Sequence, residues 1–142
     1  MPYASAQEIV DRYGLDYLLG PSDDNCDGLP DDPKVALALS DATAEIDKFL
    51  SVRFQLPLVD IDTNPAWGWI KRCCIDLAIY YMAQTWASMT TLIEKRYEDC
   101  MLQLKRIADG EINVGGPTTS QGAAIVCAEP RIMTRKGLCG VL

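Results

Sequence analysis

The stretch Asp32-Pro33-Lys34-Val35-Ala36-Leu37-Ala38-Leu39-Ser40-Asp41-Ala42-Thr43-Ala44-Glu45-Ile46-Asp47-Lys48-Phe49-Leu50-Ser51-Val52-Arg53-Phe54-Gln55-Leu56-Pro57 decides the fold. Asp32 reads as an N-cap and Pro33 as the first helical residue, where a missing N–H costs nothing. Val35, Leu39, Ala42, Ile46, Phe49 and Leu50 recur at spacings of three and four, which is one face of a helix. Asp41, Glu45, Asp47 and Lys48 lie mostly on the opposite side. The residue before a proline avoids helical angles, so the run is expected to close at Leu56-Pro57. A long amphipathic helix needs partners, and the segments around it supply them.

Upstream, Ser5 and Glu8 have capping-box spacing at the head of a short helix reaching Tyr13, and Gly14 is its stop. Tyr17-Leu18-Leu19 is a brief apolar patch before Gly20-Pro21, a turn signal. Downstream, Asn64-Pro65 repeats the cap-plus-proline start. The helix that follows is expected to reach about Ser88. Trp67, Ile70, Cys74, Leu77, Ala78 and Tyr81 line one side. Trp69, Cys73, Ile79, Tyr80 and Met82 extend the apolar surface past half the circumference, which marks this as the most buried helix. Arg72 and Asp76 have pairing distance at i, i+4. Thr91-Leu92-Ile93-Glu94 is read as a capping box for a helix reaching Asp109-Gly110. Its apolar positions include Ile93, Tyr97, Cys100, Leu104 and Ile107. The short joint at Ser88–Thr91 makes the last two helices an antiparallel hairpin. The expected class is all-α: a small bundle of three main helices plus a short N-terminal helix, with an extended C-terminal arm.

That arm is set apart by composition. The bundle is expected over residues 1–110 and a Gly/Thr/Ser/Pro-rich linker over 111–122. A docking arm is expected over 123–142. Met1–Gly110 carries 18 acids against 10 bases, whereas Glu111–Leu142 carries 2 acids against 3 bases, so the charge balance reverses. Within the arm, Arg131, Ile132, Met133, Arg135, Lys136 and Leu138 mix cations with apolar side chains and are the candidate partner-docking residues. Arg131 and Arg135 share a side whether the segment is helix or strand. A purely solvated tail would lack the apolar residues.

The chain of 142 residues is one domain's worth, long enough to bury a core. Its net charge of −7 argues against general DNA affinity through a positive field. No apolar run is long enough to span a bilayer, so no membrane partner is expected. The first residues lack the basic and greasy regions of a signal peptide, so synthesis and retention in a cytoplasm are expected. The six cysteines contain no Cys-x-x-Cys pair, and there is no histidine. That removes the usual zinc sets and leaves reduced thiols, several of them in the core. The missing histidine also removes the commonest general base. No nucleophile elbow or phosphate-cradling loop is present, so no enzyme is expected.

One segment resembles a ligand loop. Asp23, Asn25 and Asp27 take the first, third and fifth positions of a calcium loop, Gly28 the turn position and Asp31 the ninth. The twelfth position is Lys34, where a bidentate Glu belongs. The expectation is an acidic turn serving the next helix's N-terminus, with calcium binding at ~10⁻⁴ M or weaker as the alternative. The corresponding alternative function is a calcium-stabilised interaction module.

The central stretch also carries a resemblance. Ala42-x-x-Glu45-Ile46-Asp47-x-x-Leu50-x-x-Arg53-Phe54-x-Leu56-Pro57-Leu58 resembles the signature of the Mu-like prophage neck proteins, small head–tail connectors of tailed phages. Four further stretches match in order. They are Met1-Pro2-Tyr3-Ala4, Ile9-Val10-Asp11-Arg12-Tyr13-Gly14, Arg96-Tyr97-Glu98-Asp99 and Leu104-Lys105-Arg106-Ile107-Ala108-Asp109-Gly110. Arg131-x-x-Thr134-Arg135-x-x-Leu138 resembles the family's closing tail. The resemblance implies a virion-neck adaptor, made in the host bacterial cytoplasm, that forms a twelvefold ring beneath the portal protein. Such a ring extends the DNA channel, lets DNA pass without specific binding, and docks the next neck or tail-completion protein. Trp69, Tyr80 and Arg53 are the candidate subunit-interface residues. No cofactor is implied.

Overall fold

The computed structural model describes residues 1–58, 61–84 and 88–114. The docking-arm residues Arg131 to Leu138, and the expected linker from residue 115 onward, lie outside the described residues.

Among the described residues there are five α-helices and no strand: α1 (Ala6–Tyr13), α2 (Leu15–Ser22), α3 (Asp32–Leu50), α4 (Gly68–Met82) and α5 (Thr91–Ala108). The class read from the sequence is therefore correct, with one helix more than expected at the N-terminal end. The Ser5–Glu8 capping box forms as read: Ser5 Oγ accepts from the Glu8 N–H at 3.3 Å, and Glu8 accepts from the Ser5 N–H at 2.8 Å. Gly14, at φ +88°, ends α1 and lets the chain restart at once as α2. Such an angle is open to glycine at little cost.

The expected turn at Gly20-Pro21 is instead the last turn of α2, with Pro21 inside it. Burial explains the difference. Leu18, Pro21 and Ser22 all face the core, and Ser22 Oγ donates to the Leu18 carbonyl at 2.6 Å. Packing overrides the local breaker signal, and the helix stops right after it.

The stripe read on α3 is the buried one: Val35, Ala38, Leu39, Ala42, Thr43, Ile46 and Leu50. Its cap is Asp31 rather than Asp32, so Pro33 is the second helical residue. The helix ends at Leu50, well before Pro57. One further turn of bonds follows, the N–H groups of Arg53 and Phe54 donating to the Leu50 carbonyl at 3.0 and 2.9 Å, and Phe54 is buried at its end. Its ring then meets Trp67 edge-on at 5.1 Å.

A single 3₁₀ turn, Pro65–Trp67, leads into α4, which ends at Met82 rather than near Ser88. As expected, α4 is the central helix. Ile70, Cys73, Cys74, Ile75, Asp76, Leu77, Ala78, Ile79 and Met82 are buried, and α2, α3 and α5 pack around it. Cys73, Cys74 and Cys100 are free thiols of this core, whereas Cys26 is exposed. Burial pushes the Cys74 thiol up from its ordinary value.

The cap of α5 is Thr90, one residue earlier than read, and its side chain accepts from the Ile93 N–H at 3.3 Å. Glu94 then falls outside the reciprocal position, so no box forms. At the other end Gly110, at φ +84°, lies against the Arg53 guanidinium, where a Cβ would collide. The chain stays on the domain beyond this point, since Glu111 N–H donates to the Arg106 carbonyl at 2.9 Å and Val114 packs against the core.

Candidate functional site

The outer surface of α3 and α4 forms a shallow groove of about 810 Å³. Asp41, Glu45 and Lys48 line it from α3, Tyr80 and Tyr81 from α4, and Gln84 from just past the end of α4. Tyr97 of α5 adjoins the groove through Tyr80. Its ring stacks on Tyr80 with centroids 3.9 Å apart and planes 14° apart. Tyr81 stands edge-on to both rings, at 6.0 Å from Tyr80 and 6.4 Å from Tyr97. Burial pushes the Tyr81 hydroxyl up to about 12, with Glu45, Tyr97 and Asp41 adding to the shift. Tyr97 moves the same way, through burial and then through Tyr80 and Glu45. Lys48, the groove's cation, pairs with Glu45 at 3.0 Å and sits 5.1 Å from the Phe49 ring. Aromatic faces beside an excess of carboxylate form a surface suited to cations, guanidinium above all.

Of the residues read as a subunit interface, Tyr80 belongs to this groove. Trp69 does not. It shares a side of α4 with Tyr80 but lies about three turns away, ~16 Å along the axis, half-buried against the core. Arg53 covers the end of α5 at Gly110. The sequence reading missed Asp41, Glu45, Tyr81 and Tyr97 as one site. The i, i+4 spacing of the two acids was visible, but nothing local tells which helix their face will meet.

A second tyrosine pair sits where α1 and α2 meet α4 and α5. Tyr13 and Tyr17 have ring centroids 5.1 Å apart. Arg96 of α5 lies 4.7 Å from the centre of Tyr13 and 5.8 Å from that of Tyr17, and donates to the Tyr17 hydroxyl at 3.1 Å. The Tyr13 hydroxyl donates to Asp76 at 2.7 Å. Asp76, only 3 % exposed, also faces the Cys100 thiol at 3.9 Å and Arg72 at 3.7 Å, so the i, i+4 pair read from sequence forms. Burial, then the bond to Asp76, pushes Tyr13 up to about 12. Nearby, Lys71 of α4 bridges Glu8 of α1, at 2.8 Å, and Asp62. The bonds to Asp62 and Glu8 raise the Lys71 pKa. Burial works against ionisation of Glu8, but its bonds to Lys71 and Ser5 outweigh that and lower it.

In the acidic loop the carboxylates bond to the loop itself. Asp23 accepts from the N–H groups of Asp27 at 3.2 Å and Gly28 at 3.0 Å. Asp27 accepts from Leu29 N–H at 2.9 Å. Asp31 accepts from Asp24 N–H at 3.2 Å and from the Asn25 side chain at 3.1 Å. Lys34 reaches back to Asp24 at 2.6 Å. Among the described residues no three His, Cys, Asp or Glu side chains converge as a metal-holding group. The loop geometry is that of a self-bonded turn leading into α3.

The sequence profile of the bacteriophage Mu Gp36 family matches residues 3–126. The chain belongs to that family. The matched span covers all five helices and the groove, and stops short of Arg131 to Leu138. Among its relatives, gene product J of Escherichia phage Mu is 34% identical over 118 residues, 81% of this chain and 77% of the relative. The Mu-like prophage FluMu protein gp36 of Haemophilus influenzae is 33% identical over 118 residues, 80% of this chain and 75% of the relative. The protein is thus a Mu-like phage protein of all-helical fold. Among the described residues no helix is long and apolar enough to cross a membrane.

Proposed function

We propose that this member of the Gp36 family is a structural head–tail connector, located in the virion neck and acting without catalysis or cofactor. Copies form a ring, expected twelvefold, beneath the portal protein. The ring continues the DNA channel and docks the next neck or tail-completion protein. The observation that carries the reading is family membership across the whole helical domain, together with signature stretches that follow the neck-protein order from Met1 to Leu138. Two physical features support it. The acidic body opposes phosphate contacts, as a channel wall must if DNA is to slide. Exposed apolar side chains, among them Leu37, Leu92 and Leu102, leave the domain with surface to bury. Head-to-tail contacts between two different faces would close such a ring.

The test is mass measurement of the purified protein alone and mixed with the portal protein of the same phage. The expected result is a portal complex carrying one ring of copies. A protein that never associates with the portal at any concentration or ratio overturns the reading.

A further inference from the structure

The groove between α3 and α4 has the makings of a guanidinium site. It offers the Tyr80–Tyr97 stack, the Tyr81 edge and two carboxylates, Asp41 and Glu45, against a single amine, Lys48. The same molecule shows what this combination does when an arginine is within reach. Arg96 lies over the Tyr13 and Tyr17 rings, at 4.7 and 5.8 Å, and bonds to the Tyr17 hydroxyl.

The chain carries a segment of matching chemistry. Residues 123–142 hold Arg131, Arg135 and Lys136 against one acid, Glu129, with Ile132, Met133 and Leu138 among them. The segment also starts close enough. The end of α5 lies beside Arg53, just past the end of α3. From Gly110 back to the level of Tyr97 is about 20 Å along the helix axis. Residues 115–130 span up to ~50 Å when extended, more than twice that distance. Because the segment is tethered, it meets the groove at an effective concentration on the order of millimolar, above that of a free competitor in a dilute sample.

We propose that in the free subunit the C-terminal segment folds back onto its own domain, with Arg131 and Arg135 held in the groove by the tyrosine rings and by Asp41 and Glu45. The groove is then an intramolecular parking site. The arm leaves it when a partner offers more contact, and the vacated groove becomes available surface. This goes beyond the connector reading and does not depend on it, because it concerns the isolated chain.

The experiment is zero-length carbodiimide coupling of the full chain, which joins an amine to a carboxylate in contact. It is run on an equal mixture of unlabelled and ¹⁵N-labelled protein and mapped by mass spectrometry. The Lys71–Glu8 pair, at 2.8 Å, is the internal positive control. Lys136 is expected to couple to Asp41 or Glu45 in products of a single isotope, and this coupling is lost in the variant carrying Arg131→Glu and Arg135→Glu. Far-UV circular dichroism confirms that the variant keeps its helices. Mixed-isotope products as abundant as pure ones overturn the fold-back and place the arm on a second copy. Absence of the Lys136 product while Lys71–Glu8 couples overturns the site altogether. Portal binding is unaffected by either outcome, so failure here is distinguishable from failure of the connector reading.

Discussion

The two tyrosine clusters use the same residue types to opposite ends. At the α1/α2 junction, Tyr13 and Tyr17 already have their cation in Arg96 and their anion in the buried Asp76. Every strong group there is matched inside the domain, and the cluster clamps the N-terminal helices onto the core. In the α3/α4 groove, Tyr80 stacks on Tyr97 and Tyr81 stands edge-on to both, with Asp41 and Glu45 beside Tyr80 and Tyr81. Closed on a buried carboxylate, the arrangement stabilises the fold. Open and rimmed with carboxylates, it has binding capacity left over. All five tyrosines are partly buried, so what separates the structural cluster from the candidate binding one is the anion, buried at Asp76 and exposed at Asp41.

The sharpest way to break the comparison is to remove the anion from each cluster. Asp76→Ala strands the Tyr13 hydroxyl and leaves a gap at the core, which should cost about 3 kcal/mol in urea unfolding. Asp41→Ala, at an exposed position, should stay within about 0.5 kcal/mol. Similar losses for the two variants would show that the clusters do not differ in the way described.

A smaller effect follows from the Tyr13 hydroxyl. Its pKa is raised to about 12 by burial and by Asp76, above the ordinary value of 10.0. The folded state therefore disfavours the tyrosinate. The stabilising contribution is complete below pH 10, and it is lost as pH climbs through the folded value. Stability of the native protein should fall between about pH 10 and 12, and Tyr13→Phe should flatten part of that fall while costing about 1.5 kcal/mol at neutral pH. Urea titrations at pH 9 and pH 11.5 measure both. An unchanged slope in the variant would remove Tyr13 from the account.

Next comes the cation. Arg96→Ala should cost about 1 kcal/mol, from the lost ring contact and the bond to Tyr17. Lys48→Ala at the groove, where the amine lies on a solvated surface, should cost less than half of that. Thermal melts of the two variants rank them, and a larger loss at Lys48 would reverse the assignment of closed and open.

The smallest expected effect is at the acidic loop. Its carboxylates already accept loop N–H groups, and Lys34 adds a positive charge at Asp24. Millimolar Ca²⁺ should leave the melting temperature unchanged, since a ligand stabilises only by binding the folded state. A rise that Asp27→Ala abolishes would establish a calcium site in its place.

The all-α class, the central position of α4 and the buried stripe of α3 were legible because they rest on periodicity. Apolar residues at i, i+3 and i+4 mark the same face whatever surrounds the helix. The Ser5–Glu8 box was legible for a related reason, since capping is a bond between near neighbours. What failed was decided by contacts between distant residues. Gly20-Pro21 is a turn signal locally, yet Leu18 and Ser22 hold α2 through it. Leu50, not Leu56, ends α3, and the chain beyond it is held by the contact of Phe54 with Trp67 thirteen positions on. The groove is the extreme case. Asp41 and Glu45, Tyr80 and Tyr81, and Tyr97 sit on three helices, and apart from Tyr80, read as an interface candidate, each looks like an ordinary solvated or core-facing residue on its own. Sequence alone determined which faces are apolar and where the charge reverses. Only the tertiary packing of α3, α4 and α5 decided that the three helices would bring their tyrosines and acids to one rim, because crossing geometry is set by side chains far apart in the chain.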